Sequence, residues 1–171
     1  MFQSNNLKGF SIHKNHKIGL ILIAYFMLSK IIPTIFDLLI NGKQVNYLGI
    51  LYFIILSPIT SFLSIYLFLG EEYGWRGFLQ EIFFSKFGKK LGILLIGIIW
   101  SMWHWALVLT LYGPETPVLA SMVRTVYIIG FAIYFGYVYM KTKNIWFCAL
   151  LHGINNSSYL IESFTVDYDF A

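Results

Sequence analysis

Charged residues and cysteine are scarce in this chain. Of its 171 residues only 12% are charged, whereas 58% are hydrophobic, and the mean hydropathy is +0.69. An ordinary soluble domain carries about 25% charged residues, so this composition excludes that class. The single cysteine, Cys148, lies in an apolar run and has no second cysteine to pair with, which excludes an intrachain disulfide framework. The composition predicts an all-α, polytopic membrane helix bundle that forms one domain over residues 1–171, with the lipid bilayer as its surroundings.

The excess of basic residues does not indicate a nucleic-acid partner. The formal net charge is +4, but the lysines are scattered between apolar runs and do not form one basic stripe. We interpret them as topology signals.

Five apolar runs are predicted to cross the membrane, and one further helix carries most of the charge. The runs are Ile18–Ile40, Val45–Leu69, Leu91–Tyr112, Val118–Met140 and Ile145–Ile161. The further helix, Glu71–Phe87, is predicted to lie at the cytoplasmic side. A sixth crossing by residues 59–87 is the alternative arrangement.

The lysines between the runs alternate from side to side. Segments rich in Lys and Arg tend to remain cytoplasmic, so the alternation predicts a cytoplasmic N-terminus and an external C-terminus. The lysines predicted to be cytoplasmic are Lys8, Lys14, Lys17, Lys86, Lys89, Lys90, Lys141 and Lys143, whereas Lys43 stands alone on the other side.

The segment Gly70–Gln80 places three ionisable residues in apolar surroundings, where an unpaired charge costs several kcal/mol. On a helix Glu72 and Arg76 are i and i+4 apart, which favours an ion pair. Glu71 is rotated by about 100° from Glu72 and points elsewhere. The spacing therefore leaves Glu71 as the carboxylate available for chemistry.

Two further polar clusters lie on other apolar runs. His104 follows Trp100 by four residues, and Asn156 follows His152 by four. Each has a purely structural interpretation, either a bond from histidine to a backbone carbonyl or polar contacts between helices. Taken with the glutamates, they supply a base, water ligands and hydrogen-bond donors for one low-dielectric chamber.

The three clusters resemble the motifs of a family of intramembrane proteases, the CPBP or Abi family, which includes CAAX prenyl endopeptidases and bacteriocin-processing or immunity proteins. That family carries E-E-x-x-x-R, F-x-x-x-H and H-x-x-x-N in this order. The resemblance covers about residues 57–160 and departs from the pattern at Trp100, where phenylalanine is typical. Many relatives have more spans, which leaves open whether a homo-oligomer or a partner subunit completes the chamber. The matching residues are Glu71, Glu72, Arg76, His104, His152 and Asn156.

The resemblance implies an intramembrane endopeptidase and assigns roles to these residues. Glu71 is expected to act as general base on a water that His104 helps to hold. His152 and Asn156 are expected to donate hydrogen bonds to the oxyanion of the tetrahedral intermediate. Arg76 is expected to hold Glu72 and so orient the motif helix.

A zinc site is the alternative chemistry for the same side chains. Two histidines and one glutamate, here His104, His152 and Glu71, are a suitable ligand set for zinc with one open position. The chain lacks the compact H-E-x-x-H spacing, and Asn156 is a better oxyanion donor than metal ligand. A mechanism without a cofactor is therefore favoured.

A second class of function also fits the buried polar residues: a non-catalytic immunity or partner subunit, or a small transporter. For an endopeptidase, the substrate is expected to be a membrane-associated protein or peptide, namely a CAAX protein, a bacteriocin leader or a signalling peptide. No residue discriminates among these substrates. The abundance of Phe, Ile, Tyr, Asn and Lys indicates an AT-rich bacterial genome and hence a bacterial plasma membrane, which favours peptide leaders over prenylated proteins.

Overall fold

The computed structural model describes residues 15–42, 45, 47–112 and 116–158, and within these ranges it contains helices and no strands. This confirms the predicted all-α bundle. Lys8, Lys14 and Lys43, which carry part of the orientation prediction, lie outside the described residues. The elements are α1 (His16–Ile40), α2 (Tyr47–Leu63), α3 (Ile65–Glu72), a π-helical segment (Tyr73–Leu79), α4 (Gln80–Leu107), a second π-helical segment (Val108–Tyr112), α5 (Pro117–Thr142) and α6 (Ile145–Asn156).

Three helical stretches among the described residues are long and apolar enough to cross a membrane. They are His16–Ile40, Ile65–Thr110 and Pro117–Thr142, whereas the apolar helix Tyr47–Leu63 is shorter, with 17 residues. At 1.5 Å per residue, α1 and α5 are each about 38 Å long, compared with about 30 Å of hydrocarbon. Their outer faces are apolar, with side chains such as Ile21 and Val126 about two-thirds exposed or more. Such faces are expected of helices in contact with lipid.

The long stretch from Ile65 is bent sharply at Gly88. Gly88 has φ 72° and ψ 169°, a conformation that is favourable only for glycine. The rings of Trp75 and Trp100 are 6.0 Å apart, although a straight helix would separate them by about 38 Å. The stretch is therefore a hairpin whose two arms meet on either side of Gly88.

The hairpin corrects the predicted number of helices. The motif-bearing helix was expected to end at Phe87 and the next run to begin at Leu91, giving six helices. The break does lie between these residues, at the non-helical Gly88, but the two helices follow each other directly, so the described residues form five helical stretches. No polar loop divides the two arms, because one glycine in the left-handed region is enough to reverse the chain. This bend brings the motif onto the Trp100 helix.

Two predicted runs also have different bounds. The run Val45–Leu69 is divided at Ser64, where α2 ends and α3 begins. The helix in the run Ile145–Ile161 ends at Asn156, followed by a turn at residues 157–158, and residues 159–161 lie outside the described range. With 12 residues, α6 is about 18 Å long and too short to cross the hydrocarbon core alone.

Helix α6 is instead packed inside the bundle, against α2, α3 and α5. Most of its residues are buried, among them Cys148, Leu151 and Ile154, each 0% exposed. A Cβ atom at Gly153 would lie 2.6 Å from Cβ and 3.0 Å from Cα of Ser61 on α2. Glycine is therefore required for this close approach, which sets the position of the neighbouring His152.

Gly153→Ala is expected to destabilise the protein by about 1–3 kcal/mol, because the added methyl group forces α6 away from α2. The measurement is thermal unfolding of the detergent-solubilised protein, with Gly130→Ala as control. Gly130 is also helical, and a Cβ there meets nothing within 4 Å. Equal melting temperatures for the two variants would contradict the close packing of α6.

Candidate active site

A π-helical segment begins directly after the two glutamates of the motif. Residues Tyr73–Leu79 form this segment, which is continuous with α3 before it and α4 after it. π-Helical turns are rare and are frequently found at functional sites. Here the segment contains Arg76 and leads the chain from the glutamate pair into the first arm of the hairpin.

Glu72 and Arg76 form the predicted ion pair. Nη1 of Arg76 lies 2.9 Å from Oε1 and 2.8 Å from Oε2 of Glu72, and both side chains are 0% exposed. The guanidinium group of Arg76 also lies over two aromatic rings, 4.4 Å from the centroid of Trp100 and 5.2 Å from that of Phe135. These cation–π contacts support the Arg76 nitrogens Nε and Nη2, which have no hydrogen-bond partner among the described residues.

His152 binds the same carboxylate. Its Nδ1 lies 2.8 Å from Oε1 of Glu72, so Glu72 connects α3 to both Arg76 and α6. A carboxylate only accepts, so Nδ1 carries the proton and the opposite nitrogen, Nε2, is left for other partners. The ring stacks on Phe68 at 4.9 Å and meets the edge of Trp100 at 5.6 Å. His152 is therefore held in one orientation from three sides.

His104 is fixed by its own helix. Its Nδ1 lies 2.9 Å from the backbone oxygen of Trp100, which is the structural contact considered for this histidine from the sequence. Because a carbonyl oxygen only accepts, Nδ1 is the donor, and in the neutral ring Nε2 is an acceptor. The contact therefore determines the tautomer and leaves Nε2 available to a water molecule or a substrate.

The two histidines and Asn156 line one cavity of about 560 Å³. The cavity is bounded by α1, α4, α5 and α6, and Trp100 packs between the two imidazole rings. Its polar lining includes two cationic side chains, one from α1 and one from α5. The polar and charged lining residues are Lys30, His104, Thr116, Arg124, His152, Asn155 and Asn156.

Glu71 is not one of the residues that line this cavity, and it does not belong to the Glu72 network. It is partly buried, lies next to Trp75 and is within electrostatic range of His152. Its Oε2 atom is buried and has no hydrogen-bond partner among the described residues. The structure thus brings His104, His152 and Asn156 to one cavity and His152 to Glu72, but it does not bring Glu71 into direct contact with His104.

The predicted zinc ligands do not form a metal site in this arrangement. Within the described residues, no three His, Cys, Asp or Glu side chains converge as a ligand group, and Glu71, His104 and His152 are no exception. Nδ1 of each histidine is engaged, by Glu72 and by a backbone oxygen, so Nε2 of each ring is the atom that could bind a metal. These three side chains would have to rearrange to hold a metal ion together.

Sequence reasoning missed three residues of the cavity: Lys30, Arg124 and Asn155. No role in a functional site was predicted for any of the three. A signal was present for Lys30, because a charge in the middle of an apolar run is a functional candidate by default. Asn155 had no comparable signal, since only the fold shows which side chain faces it.

A second, apolar cavity of about 340 Å³ adjoins the first. It lies between α1 and α5 and shares Tyr127 and Phe131 with the polar cavity. The remaining lining is mostly aromatic and includes Tyr25, Phe26 and Tyr134. Polar and apolar space are therefore adjacent, separated by two aromatic side chains.

Comparison with known proteins identifies a family. A family model described as Rce1-like, type II CAAX prenyl endopeptidase, matches residues 43–158, which is more than half of the chain. No curated protein and no solved structure matches the chain. The matched residues include all three polar clusters, whereas α1 and its Lys30 precede them.

Removing one member of the buried ion pair should lower the free energy of unfolding more than removing both members. Arg76→Met is expected to destabilise the protein by about 3–5 kcal/mol, because it leaves Glu72 as a buried charge with His152 as its remaining partner. Combining it with Glu72→Gln should restore part of this loss. Equilibrium unfolding in mixed micelles measures both variants.

The control for this cycle is Lys89→Met, which removes an exposed charge from α4. Its effect on the free energy of unfolding should lie within about 0.5 kcal/mol of zero. Strictly additive losses in the Glu72 and Arg76 variants would show that the two groups do not stabilise each other.

Proposed function

The chain belongs to the family of Rce1-like type II CAAX prenyl endopeptidases, and from this membership we propose that it hydrolyses a peptide bond of a membrane-anchored substrate with Glu71 activating the attacking water. The family is one of membrane-embedded peptidases, and the chain is an integral membrane protein with three helices suited to spanning. The finer assignments concern the base, the oxyanion donors and the substrate.

The observation that carries the proposal is the different surroundings of the two glutamates. Glu72 is fully buried and engaged by both Arg76 and His152. Oε2 of Glu71 is buried and has neither a hydrogen bond nor a salt bridge among the described residues. Oε2 of Glu72 also lacks a hydrogen bond, but it is ion-paired with Arg76 at 2.8 Å. Buried acceptors are normally satisfied, so an open one in a partly buried position suits a bound water. Glu71 is therefore the carboxylate that can take a proton from water, and Glu72 is structural.

His104 supplies the second acceptor for that water. A water molecule has two hydrogens, and the carboxylate of Glu71 and Nε2 of His104 can each accept one. The oxygen lone pair then remains free to attack a scissile carbonyl. In the proposed reaction Glu71 removes one proton as the C–O bond forms and delivers it to the leaving nitrogen as the C–N bond breaks. In the proposed reaction this water bridges Glu71 and His104, which are not in direct contact.

His152 and Asn156 are the proposed donors to the oxyanion. Both face the cavity from the last turns of α6, and the ring of His152 is held by Glu72 and Phe68. Protonated on both nitrogens, His152 can donate from Nε2, while Asn156 can donate from its amide group. Fixed donors of this kind require no reorganisation during the reaction, which is the source of their effect on the rate.

The neighbouring cavities support a substrate with a polar and an apolar part. The peptide bond would occupy the polar cavity, while Tyr127, Phe131 and the apolar cavity receive a hydrocarbon chain or an apolar side chain. A prenylated CAAX peptide has this form and follows the family description. Bacteriocin leaders and signalling peptides remain the other candidate substrates, with a bacterial plasma membrane and a cytoplasmic N-terminus as the proposed setting.

Glu71→Gln should reduce cleavage of a fluorogenic farnesylated CAAX peptide by about 100-fold or more, because an amide cannot accept the proton from water. The matched control is Glu81→Gln, an exposed glutamate in the same arm of the hairpin, which should retain wild-type activity. Both variants should unfold at the wild-type temperature. Wild-type rates in Glu71→Gln would overturn the assignment of the base.

The same assay tests the proposal that no metal takes part. A strong chelator should leave the wild-type rate unchanged, because the proposed water is held by Glu71 and His104 alone. Loss of activity on chelation, with recovery on adding zinc, would indicate that a metal holds the attacking water, and it would leave the peptidase assignment intact.

A further inference from the structure

Lys30 places a cation in the candidate active site from outside the segment that matches the family. It lies in the middle of α1, and its ammonium group lines the polar cavity. The nitrogen lies 4.8 Å from the ring centroid of Phe131 and 5.5 Å from that of Phe26. These rings stabilise the charge in an otherwise apolar position.

The same nitrogen makes a directed contact with α6. Nζ of Lys30 donates to Oδ1 of Asn155 at 3.0 Å. Nδ2 of Asn155 in turn donates to Oδ1 of Asn156 at 3.4 Å. All three side chains line the polar cavity, so a chain of two hydrogen bonds leads from α1 to the proposed oxyanion donor.

The direction of this chain follows from the chemistry of its first member. An ammonium group has three donors and no acceptor, so the group of Asn155 that faces Lys30 must be the carbonyl oxygen. The amide nitrogen of Asn155 then faces Asn156 and selects its carbonyl oxygen. The remaining group of Asn156, its NH₂, is left as a donor for the cavity.

We propose that Lys30 is a positioning residue that acts through Asn155 to hold the Asn156 amide with its NH₂ group toward the substrate oxyanion. This proposal rests on the proposed function, because it concerns the orientation of a donor in that reaction. An amide in the opposite orientation would present a carbonyl oxygen to the developing negative charge and oppose the reaction. Lys30 therefore affects kcat without touching the substrate at the reacting bond.

Asn155→Asp separates this role from that of a simple connection between α1 and α6. The aspartate can still accept from Lys30, with opposite charge, so a connection would be kept. It cannot donate to Asn156, and its oxygen would attract the Asn156 NH₂ group and turn that amide around. The expected result is a fall of about tenfold or more in kcat for the farnesylated CAAX peptide, with KM within about twofold and unchanged thermal stability.

Lys30 variants test the first bond of the chain. Lys30→Met should lower kcat to a similar extent, and Lys30→Arg should restore most of it, because a guanidinium group is also a donor without an acceptor. The matched control is Lys141→Met. Lys141 also lies near an aromatic ring, 5.4 Å from the centroid of Tyr137, but does not line the cavity.

The decisive comparison repeats Asn155→Asp and Lys30→Met in an Asn156→Ala background. A residue that acts only through Asn156 should cause no further loss of kcat there, whereas a structural contact should cause the same loss in both backgrounds. The proposal would be overturned if Asn155→Asp had the wild-type kcat, or if either substitution lowered kcat as much in the Asn156→Ala background as in the wild type. The peptidase function would still stand in both cases, because the wild-type protein cleaves the peptide. Absence of cleavage by the wild-type protein of the CAAX peptide, of bacteriocin leader peptides and of signalling peptides would overturn the peptidase function, and this role of Lys30 with it.

Discussion

The buried carboxylate of Glu72 is the constraint on which the rest of the site depends. Moving a carboxylate from water into an apolar interior costs several kcal/mol even after relaxation, and the cost is offset only by close partners. Glu72 has two, Arg76 one turn along its own helix and His152 on α6. Arg76 needs surroundings of its own, which Trp100 and Phe135 supply. One charge thus draws together the first hairpin arm, the second arm, α5 and α6.

The hairpin at Gly88 and the close packing of α6 make this arrangement feasible. The bend lets Trp100 pack beneath Arg76, 24 positions further along the chain. The absence of a side chain at Gly153 lets α6 approach α2, which sets His152 at the level of Glu72. These two glycines have no side chain to take part in the chemistry, yet they determine which side chains can meet.

The contacts of Glu72 also give the two adjacent glutamates, Glu71 and Glu72, different roles. Glu72 is ion-paired with Arg76 and His152, whereas Oε2 of Glu71, one position earlier, is buried without a hydrogen bond or salt bridge among the described residues. A rotation of about 100° between neighbours on a helix is enough to give the two carboxylates different roles. His152 belongs to both parts, because one nitrogen holds Glu72 and the other is left for the cavity.

The sequence was sufficient to predict contacts between residues that are close together in the chain. The Glu72–Arg76 pair and the Trp100–His104 contact follow from i, i+4 spacing, and the structure contains both. The contact of His152 with Glu72 joins residues 80 positions apart, and that of Lys30 with Asn155 joins residues 125 apart. Such contacts have no local pattern, because they depend on how whole helices pack. The break at Gly88 was predicted from the lysines on either side of it, because the motif helix was expected to end at Phe87 and the next run to begin at Leu91. The packing of the two arms against each other was not predicted, because it depends on contacts between distant residues such as Trp75 and Trp100.

The most direct test of the account is an experimental structure of the protein with a peptide phosphinate, a stable mimic of the tetrahedral intermediate. The account predicts that the phosphorus lies in the polar cavity, with one oxygen about 3 Å from the Asn156 amide nitrogen and from Nε2 of His152. The other oxygen should lie within hydrogen-bond reach of Glu71 and His104. A phosphinate bound outside this cavity, or bound inside it with Glu71 beyond reach of either oxygen, would contradict the assignment of the active site.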